Sequence, residues 1–362
     1  MQNNAIGELV SGQVIIKDKK SGSRLYNRGL YGIPLSGGGL GLELIEAFFL
    51  LDSEKLRITK AGRTISLEKL LTYITKREPT FEIKYIVYRD LRLRGLIVKP
   101  SNISDFVIYA PSNSPNKGPS KKKIKYWANA VSERAKFNIT ELSELVTTTM
   151  NTRKDLLVAI VDEEGDLTYY KITKSSPKGK IKRKALKHKH TGSAMLVEDR
   201  VMLWDQELIT ELRSIGFYGK EVGQSLQLAL TESAYLMELE VLNISLARTR
   251  RNISLERFMR IARKLQPDFD KRLQVYRELK SRNLIVKTGF KYGAHFRVYE
   301  GDPNADHSEF LVHGVPKSFE SSWEEISRAV RLAQGVRKQM LFGRVLDEAS
   351  EIEYINVERV KP

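Results

Sequence analysis

Three residues in the last third of the chain, Tyr299, His307 and Lys338, have the side chains needed for acid–base chemistry on an RNA phosphodiester. Cleaving RNA without a metal needs one group that takes the proton of the 2′-hydroxyl and one that protonates the departing 5′-oxygen. It also needs a cation that stabilises the charge of the transition state. A tyrosine, a histidine and a lysine can fill these roles, and histidine titrates near neutral pH. Each residue also has a plainer interpretation, as a packed tyrosine, a surface histidine and a solvated lysine.

The composition favours a nucleic-acid partner and excludes cysteine chemistry. The 362 residues carry a formal charge of +17, which points to a polyanion, nucleic acid first and an anionic membrane second. The absence of cysteine removes disulfides, thiolate metal sites and cysteine nucleophiles. The five histidines do not cluster with carboxylates at metal-ligand spacings, so we expect neither a metal nor another cofactor.

Neither a secretory signal nor a membrane span is recognisable. The first ten residues, MQNNAIGELV, lack a charged segment followed by an apolar one. No stretch approaches the roughly 18–20 apolar residues that a membrane helix requires. We therefore expect no membrane association and a cytoplasmic protein.

The elements that must position the three residues occur twice along the chain. VYRDLRLRGLIVKP at 87–100 returns as VYRELKSRNLIVKT at 275–288, with nine of fourteen positions identical. Flanking segments repeat in the same order, so the fold is predicted to be a mixed α/β (α+β) tandem duplication. Each copy should have a small helical and sheet N-terminal part and a mixed-sheet, nuclease-like C-terminal part. We predict a structural repeat at 1–175, a basic linker at 176–194 and a catalytic repeat at 195–362, divided at about 270.

Helix and strand patterns in the second copy place the candidate residues. A helix capped by Asp268 should end at Asn283, because Asn and the corresponding Gly95 both tolerate a left-handed backbone. FKYGAHFRVYE at 290–300 alternates like a strand with Tyr299 on its polar face, and HSEFLVH should be a strand that His307 opens. A helix at 321–341, with a capping box at Ser322 and Glu325, should carry Lys338 on one face with Arg328 and Arg331.

Three blocks of the second copy, LIVKTGFKYGAHFRVYEG, HSEFLVH and RAVRLAQGVRKQM, resemble the archaeal tRNA-splicing endonuclease family, in its fused two-repeat homodimeric form. The resemblance implies that Tyr299 is the general base, His307 the general acid and Lys338 the transition-state stabiliser. It implies metal-independent cleavage of precursor tRNA at bulge-helix-bulge junctions, a lyase-type reaction that leaves a 2′,3′-cyclic phosphate and a 5′-hydroxyl. It also implies that arginines hold a bulged base, for which Arg331 and Arg359 are candidates, with Arg328 as a further RNA-binding residue.

The first copy departs from the second at the candidate site. It keeps Tyr109 and Lys154, but no histidine precedes His188, and Glu144 and Thr147 replace the two helix arginines. This pattern predicts a structural copy beside a catalytic one. The family resemblance further implies that an acidic loop of the structural copy docks on a partner chain. We expect the equivalent loop at 112–125, SNSPNKGPSKKKIK, which is basic and could bind RNA instead.

Other functions fit parts of the sequence. YRELKSRNLIVK resembles part of a winged helix, so a non-catalytic RNA- or DNA-binding protein is the main alternative. The glycines of SGGGLGLE at 36–43 could belong to a phosphate-binding loop, but the spacing of a dinucleotide-binding motif is absent. A purely structural subunit of the endonuclease would not need the three candidate residues.

Overall fold

The computed structural model describes residues 4–110, 123–180, 191–346 and 351–362. The chain forms two units. The first comprises residues 1–136, 144–172 and 360–362, and the second comprises residues 137–143 and 173–359. The predicted boundaries at 175 and 195 stay predictions, and most of the basic loop 112–125 and of the linker 176–194 lies outside the described residues.

The first unit begins with a six-stranded sheet in the order β3-β4-β2-β1-β5-β6 and continues into a run of paired strands in the order β7-β8-β9-β11-β12. The strands of this half of the chain are β1 Ala5–Val10, β2 Gln13–Ile16, β3 Ile33–Pro34, β4 Leu40–Leu42, β5 Leu56–Lys60, β6 Arg63–Thr64, β7 Ile97–Pro100, β8 Phe106–Tyr109, β9 Ile124–Ser132, β10 Lys136–Asn138, β11 Asp155–Val161 and β12 Leu167–Ser175. Its helices are α1 Lys19–Gly29, α2 Leu44–Asp52, α3 Leu67–Thr75, α4 Phe81–Leu93 and α5 Ile139–Asn151. Residues 137–143, which include most of β10 and the first turn of α5, and the last three residues of β12 are counted with the second unit.

The second unit repeats this plan, with a six-stranded sheet in the order β15-β16-β14-β13-β17-β18 and a run of paired strands in the order β19-β20-β21-β23-β24. Its strands are β13 Gly192–Val197, β14 Arg200–Leu203, β15 Lys220–Val222, β16 Ser225–Leu228, β17 Leu242–Leu246, β18 Asn252–Ile253, β19 Ile285–Thr288, β20 Phe296–Tyr299, β21 Phe310–Pro316, β22 Glu320–Ser322, β23 Gln339–Val345 and β24 Ile352–Val360. Its helices are α6 Gln206–Gly216, α7 Leu230–Glu238, α8 Leu255–Leu265, α9 Phe269–Ser281 and α10 Trp323–Gly335. The predicted duplicated α/β fold is confirmed.

Helix α9 joins the two parts of the second unit into one core. Leu273, Tyr276 and Leu279, which lie on one face of this helix, are at most 1% exposed and pack with side chains of both sheets. The left-handed turn after this helix is confirmed, since φ is 63° at Asn283 and 82° at Gly95. Asp268 occupies the N-cap position without making a capping bond, because its carboxylate binds other side chains.

Helix α10 connects β21 and β23, which run parallel, so it lies on one face of the sheet that contains these two strands. Half of the predicted capping box is present, since the Ser322 hydroxyl accepts the Glu325 N–H at 3.2 Å. The Glu325 carboxylate accepts the Ser321 hydroxyl. The buried face of the helix consists of Trp323, Ile326, Val330 and Ala333. This packing fixes the orientation of α10 and therefore the position at which β23 begins.

The glycine-rich stretch at 36–43 is a hairpin turn and the strand that follows it. Gly37 and Gly38 have φ of 101° and 95°, and the turn joins β3 to β4. A phosphate-binding loop would instead connect a strand to a helix N-terminus. Separately, no helix within the described ranges has the length and apolar character needed to cross a membrane.

Candidate active site

The register of three neighbouring strands aligns the segments that carry the candidate residues. Val298 of β20 pairs with Phe310 of β21, and Phe310 pairs with Gln339 of β23. Extending both pairings by one residue places Tyr299, Glu309 and Lys338 in one row across the sheet. Adjacent strands lie about 4.8 Å apart, so the backbones of the first and last are about 10 Å apart.

Lys338 lies after the helix, which corrects the prediction that it is on the helix. Helix α10 ends at Gly335, and the chain turns at Arg337, whose φ is 56°. The left-handed residue stops the helix and lets Lys338 precede β23 directly. The Lys338 ammonium donates to the backbone oxygen of Ser308 at 2.9 Å, so the lysine is held beside the residue that follows His307.

His307 does not open a strand, contrary to the prediction. It is an exposed residue of the loop 300–309, and β21 starts only at Phe310. The loop is closed by a turn in which the backbone oxygen of Asp302 accepts the N–H groups of Ala305 and Asp306 at 3.1 and 2.7 Å. These local bonds compete with strand pairing, and they leave the imidazole at the surface where a substrate could reach it.

Tyr299 is the last residue of β20. It points to the face opposite Val298, which is buried in the core, and 7% of Tyr299 remains exposed. The guanidinium carbon of Arg297 lies 5.9 Å from the centroid of the Tyr299 ring. The Nε atom of Arg297 is buried and makes no hydrogen bond within the part of the chain that the structure describes. Tyr299 therefore has a cation over its ring.

The predicted strand at 290–300 is wrong for its first half. Phe290–Tyr292 forms a single turn of 3-10 helix, followed by Gly293 with φ of 62°, and only Phe296–Tyr299 is extended. The sequence reasoning assigned Phe290 to the core face, whereas 93% of it is exposed. Two flanking glycines permit the turn, since a Cβ atom at Gly289 would lie 2.7 Å from the backbone of Phe296.

Glu309 is a residue that the sequence reasoning missed. Its carboxylate accepts the Glu300 N–H at 2.9 Å, and its own N–H donates to the Val298 oxygen at 3.1 Å. Its backbone oxygen accepts the N–H of Gln339 at 2.9 Å. These bonds hold both neighbours of Tyr299 and the residue after Lys338. Glu309 therefore contributes to the spacing of two candidate residues. The sequence signal that could have indicated it was an acidic residue directly after His307 and Ser308.

The candidate RNA-binding arginines are all exposed. The side-chain amide of Gln334 donates to the backbone oxygen of Arg359 at 3.2 Å, which brings Arg359 within about one helical turn of Arg331. The guanidinium of Arg328 binds the Glu324 carboxylate one turn earlier on α10. Arg331 and Arg359 thus lie close to the Lys338 end of the helix, while Arg328 is engaged farther away.

A cavity of about 910 Å³ lies between α10 and the sheet of the second unit. Arg328, Arg331 and Phe342 are among its lining residues, and two histidines form part of its base. His295 accepts the Gly314 N–H at 3.1 Å through Nδ1, and its Nε2 lies 3.2 Å from the Asp268 carboxylate.

The two histidines of this cavity are His295 and His313, whose ring centroids are 4.8 Å apart. Burial lowers the pKa of His295 to about 3 and also lowers the pKa of His313, so both are neutral at neutral pH. In the described ranges, no three His, Asp or Glu side chains form a group that could hold a metal ion.

The first unit holds its corresponding residues differently. Tyr109 pairs with Ile124, whereas an undisturbed register would pair it with Lys125. The strand therefore has a β-bulge at Lys125, the position that corresponds to Glu309 of the second unit. Burial raises the pKa of Tyr109. In the second unit, the Glu309 carboxylate accepts the Glu300 N–H. Lys125, at the corresponding position of the first unit, has no carboxylate that could accept such a bond. The difference between the copies extends from side-chain identity to backbone geometry.

Comparison with known proteins identifies the family. The tRNA intron endonuclease catalytic C-terminal domain matches residues 81–169 and 269–354, and the N-terminal domain of the same family matches 5–71 and 192–259. A tRNA-splicing endonuclease of Methanococcoides burtonii is 38% identical over 358 residues, covering 98% of this chain and 99% of that protein. Those of Methanosarcina mazei and Halobacterium salinarum are 36% and 32% identical, covering 99% and 92% of this chain and 99% and 93% of their own lengths. The chain belongs to the tRNA intron endonuclease family, with both of the family's domains present twice, and is an endoribonuclease.

Proposed function

We propose that the chain cuts precursor tRNA at the intron–exon junctions of a bulge-helix-bulge, without a metal. The 2′-oxygen attacks the adjacent phosphorus and the bond from phosphorus to the 5′-oxygen breaks. The products are a 2′,3′-cyclic phosphate and a 5′-hydroxyl. No water enters the reaction, so the chemistry is that of a lyase.

Tyr299, His307 and Lys338 are the proposed catalytic residues. Tyr299 takes the 2′-hydroxyl proton and His307 gives a proton to the departing 5′-oxygen. The Lys338 ammonium stabilises the charge that develops on the non-bridging oxygens. The observation that supports these roles is that the three residues lie on adjacent segments, which are linked by hydrogen bonds to Ser308 and Glu309.

Arg331 and Arg359 are the proposed holders of a bulged base. Guanidinium planes commonly stack on unpaired RNA bases. The Gln334 side chain links the Arg359 backbone to the helix that carries Arg331, which supports a pair acting together. Arg328 is proposed to contact an RNA phosphate. It would first have to leave Glu324, and this costs little because the ion pair between the two side chains is exposed to solvent.

We further propose that the chain acts as a homodimer. The family resemblance implies docking through an acidic loop of the structural copy, and the sequence reasoning considered only the basic segment 112–125. The turn between β11 and β12, DEEGD at 162–166, offers exposed carboxylates instead. Asp162 orders this turn by accepting the N–H groups of Glu164 and Asp166 at 3.0 and 2.8 Å. Light scattering should give about twice the 41.4 kDa of one chain, and Glu164→Lys should shift the mass toward the monomer.

The proposed catalytic roles can be tested with controls taken from the first copy. His307→Ala, Tyr299→Phe and Lys338→Ala should each slow single-turnover cleavage of a bulge-helix-bulge RNA by about 10²–10⁴-fold. Tyr109→Phe and Lys154→Ala change the corresponding residues of the structural copy and should cleave at the wild-type rate. Near wild-type cleavage by His307→Ala, or equal losses in the two copies, would refute the assignment.

A further inference from the structure

The turn at Gly289–Gly293 is a feature of the catalytic copy alone. In the second unit, β19 and β20 are joined by residues 289–295, whereas β7 and β8 of the first unit are joined by residues 101–105, two residues fewer. The longer connection forms the 3-10 turn that carries Phe290 and Tyr292. The added length is therefore found where the proposed chemistry takes place.

Phe290 presents a nearly free aromatic ring on this turn. Its exposed fraction is 93%, and the next most exposed large apolar residues among those that the structure describes, Ile33 and Leu93, reach 63%. Burying a phenylalanine is worth about 1.5–3 kcal/mol, so a ring held in water indicates a partner more strongly than a partly exposed leucine does.

The backbone below the ring is well ordered by hydrogen bonds. The Tyr292 N–H donates to the Gly289 oxygen at 2.8 Å, and the Gly293 N–H donates to the Phe290 oxygen at 3.0 Å. The Gly289 N–H donates to the His295 oxygen at 3.0 Å, which closes the turn. Phe290 thus projects from a fixed support, and a ligand would not have to order it first.

The turn borders the proposed active site on two sides. The Lys338 ammonium lies 5.8 Å from the centroid of the Tyr292 ring. On the other side, a Cβ atom at Gly293 would lie 3.2 Å from Leu332, the residue that follows Arg331 on α10. Phe290 is also adjacent in sequence to the exposed Lys291. The turn that presents the ring therefore carries one exposed lysine and lies beside another cation, Lys338, a setting that favours a polyanion with aromatic bases over an apolar protein surface.

We propose that Phe290 is a stacking platform for an unpaired base of the RNA substrate, in addition to the base held by the arginine pair. The inference rests on the proposed function, since it requires a substrate with unstacked bases beside the cleavage site. The ring offers a face that accepts any base, so it would contribute affinity for bulged RNA without reading sequence. Fully paired RNA offers no such base.

The test uses a bulge-helix-bulge RNA with a 2′-deoxy nucleotide at the scissile position, which prevents attack on the phosphorus. A 2-aminopurine replaces each unpaired purine in turn, and its fluorescence reports stacking. Wild-type protein should quench the position that stacks on Phe290, which is distinct from the base that Arg331 and Arg359 are proposed to hold. Phe290→Ala should abolish that quenching and raise the Kd for bulged RNA by about 5–150-fold, with a fully paired duplex bound as before.

Two further variants distinguish stacking from apolar contact. Phe290→Trp should retain quenching and affinity, whereas Phe290→Leu, which keeps the apolar bulk without a π face, should behave like alanine. Ile103→Ala, in the corresponding connection of the first copy, is 39% exposed in the native chain and should match wild type. Each variant is checked for its mass by light scattering.

The stacking role is overturned if Phe290→Ala or Phe290→Leu binds bulged RNA as wild type does. It is also overturned if Phe290→Ala changes the oligomeric mass, because the ring then belongs to a protein interface. Failure of wild type to cut the all-ribose RNA in EDTA refutes the proposed function instead. Normal cleavage together with unchanged binding by Phe290→Ala refutes only the stacking role.

Discussion

Replacing Glu309 tests whether hydrogen bonds from one side chain align the proposed catalytic residues. Glu309→Ala removes the acceptor of the Glu300 N–H, a 2.9 Å bond to a charged group next to Tyr299. Such bonds contribute about 1.5–3 kcal/mol, and partial exposure of Glu309 favours the lower figure. The free energy of unfolding should therefore fall by about 1.5 kcal/mol, which is about 3–6 °C in Tm for a unit of this size.

The larger effect of this change should appear in catalysis. The backbone bonds of Glu309 to Val298 and Gln339 remain in this variant. Without the side-chain bond to Glu300, however, the end of β20 can move relative to β21, so the spacing between Tyr299 and Lys338 is held less firmly. A displacement of about 1 Å can cost 10²-fold in rate. We expect kcat to fall by 10–100-fold while KM changes little, because these two side chains act in the transition state.

Two comparisons separate positioning from a general loss of stability. Glu309→Gln keeps a carbonyl acceptor and should recover most of the rate, although it lacks the charge. Lys125→Ala changes the corresponding residue of the structural copy and should leave cleavage unaffected. Single-turnover cleavage and thermal unfolding are measured for all three variants at a temperature well below every Tm. A Glu309→Ala enzyme with wild-type kcat would refute the positioning role.

Three further changes test other parts of the account. Arg331→Ala should raise the Kd for bulged RNA by about 5–150-fold in a filter-binding assay, and unchanged binding would remove it from the base clamp. The free energy of unfolding should fall as pH decreases from about 6.5 toward 3, because in this range the buried, neutral His295 gains a proton only on unfolding. In urea titrations, His295→Asn should make the free energy of unfolding depend less on pH. An equal dependence in this variant and in wild type would contradict the explanation. Asn283→Gly should be tolerated while Asn283→Val should lose about 1–2 kcal/mol in the same titrations, since φ is 63° there, and equal stabilities would contradict the backbone requirement.

Much of the scaffold could be predicted because the chain contains two copies of one unit, which can be compared with each other. The exchange of Asn283 for Gly95 indicated a left-handed residue, and both have positive φ. The capping residue Ser322 and the apolar stripe of α10 follow from spacing alone. These features depend on local backbone geometry and on the helical period, which a sequence records directly.

The details of the site were harder to predict. Alternation of apolar residues suggested a strand through Phe290, but two glycines allow a turn that tertiary contacts select. Lys338 continued the helical pattern, yet the left-handed Arg337 ends the helix before it. Glu309 acts through bonds from its side chain to the backbone, and these have no period in the sequence. The roles of Tyr299, His307 and Lys338 came from the family resemblance and stay predictions.

The most direct test of the central claim is the chemical identity of the cut ends. Wild-type protein is incubated with a bulge-helix-bulge precursor tRNA in EDTA, and the product termini are identified by mass spectrometry. The account predicts cleavage with 2′,3′-cyclic phosphate and 5′-hydroxyl ends, and loss of this activity in His307→Ala. A requirement for added divalent metal, or 5′-phosphate ends, would contradict it.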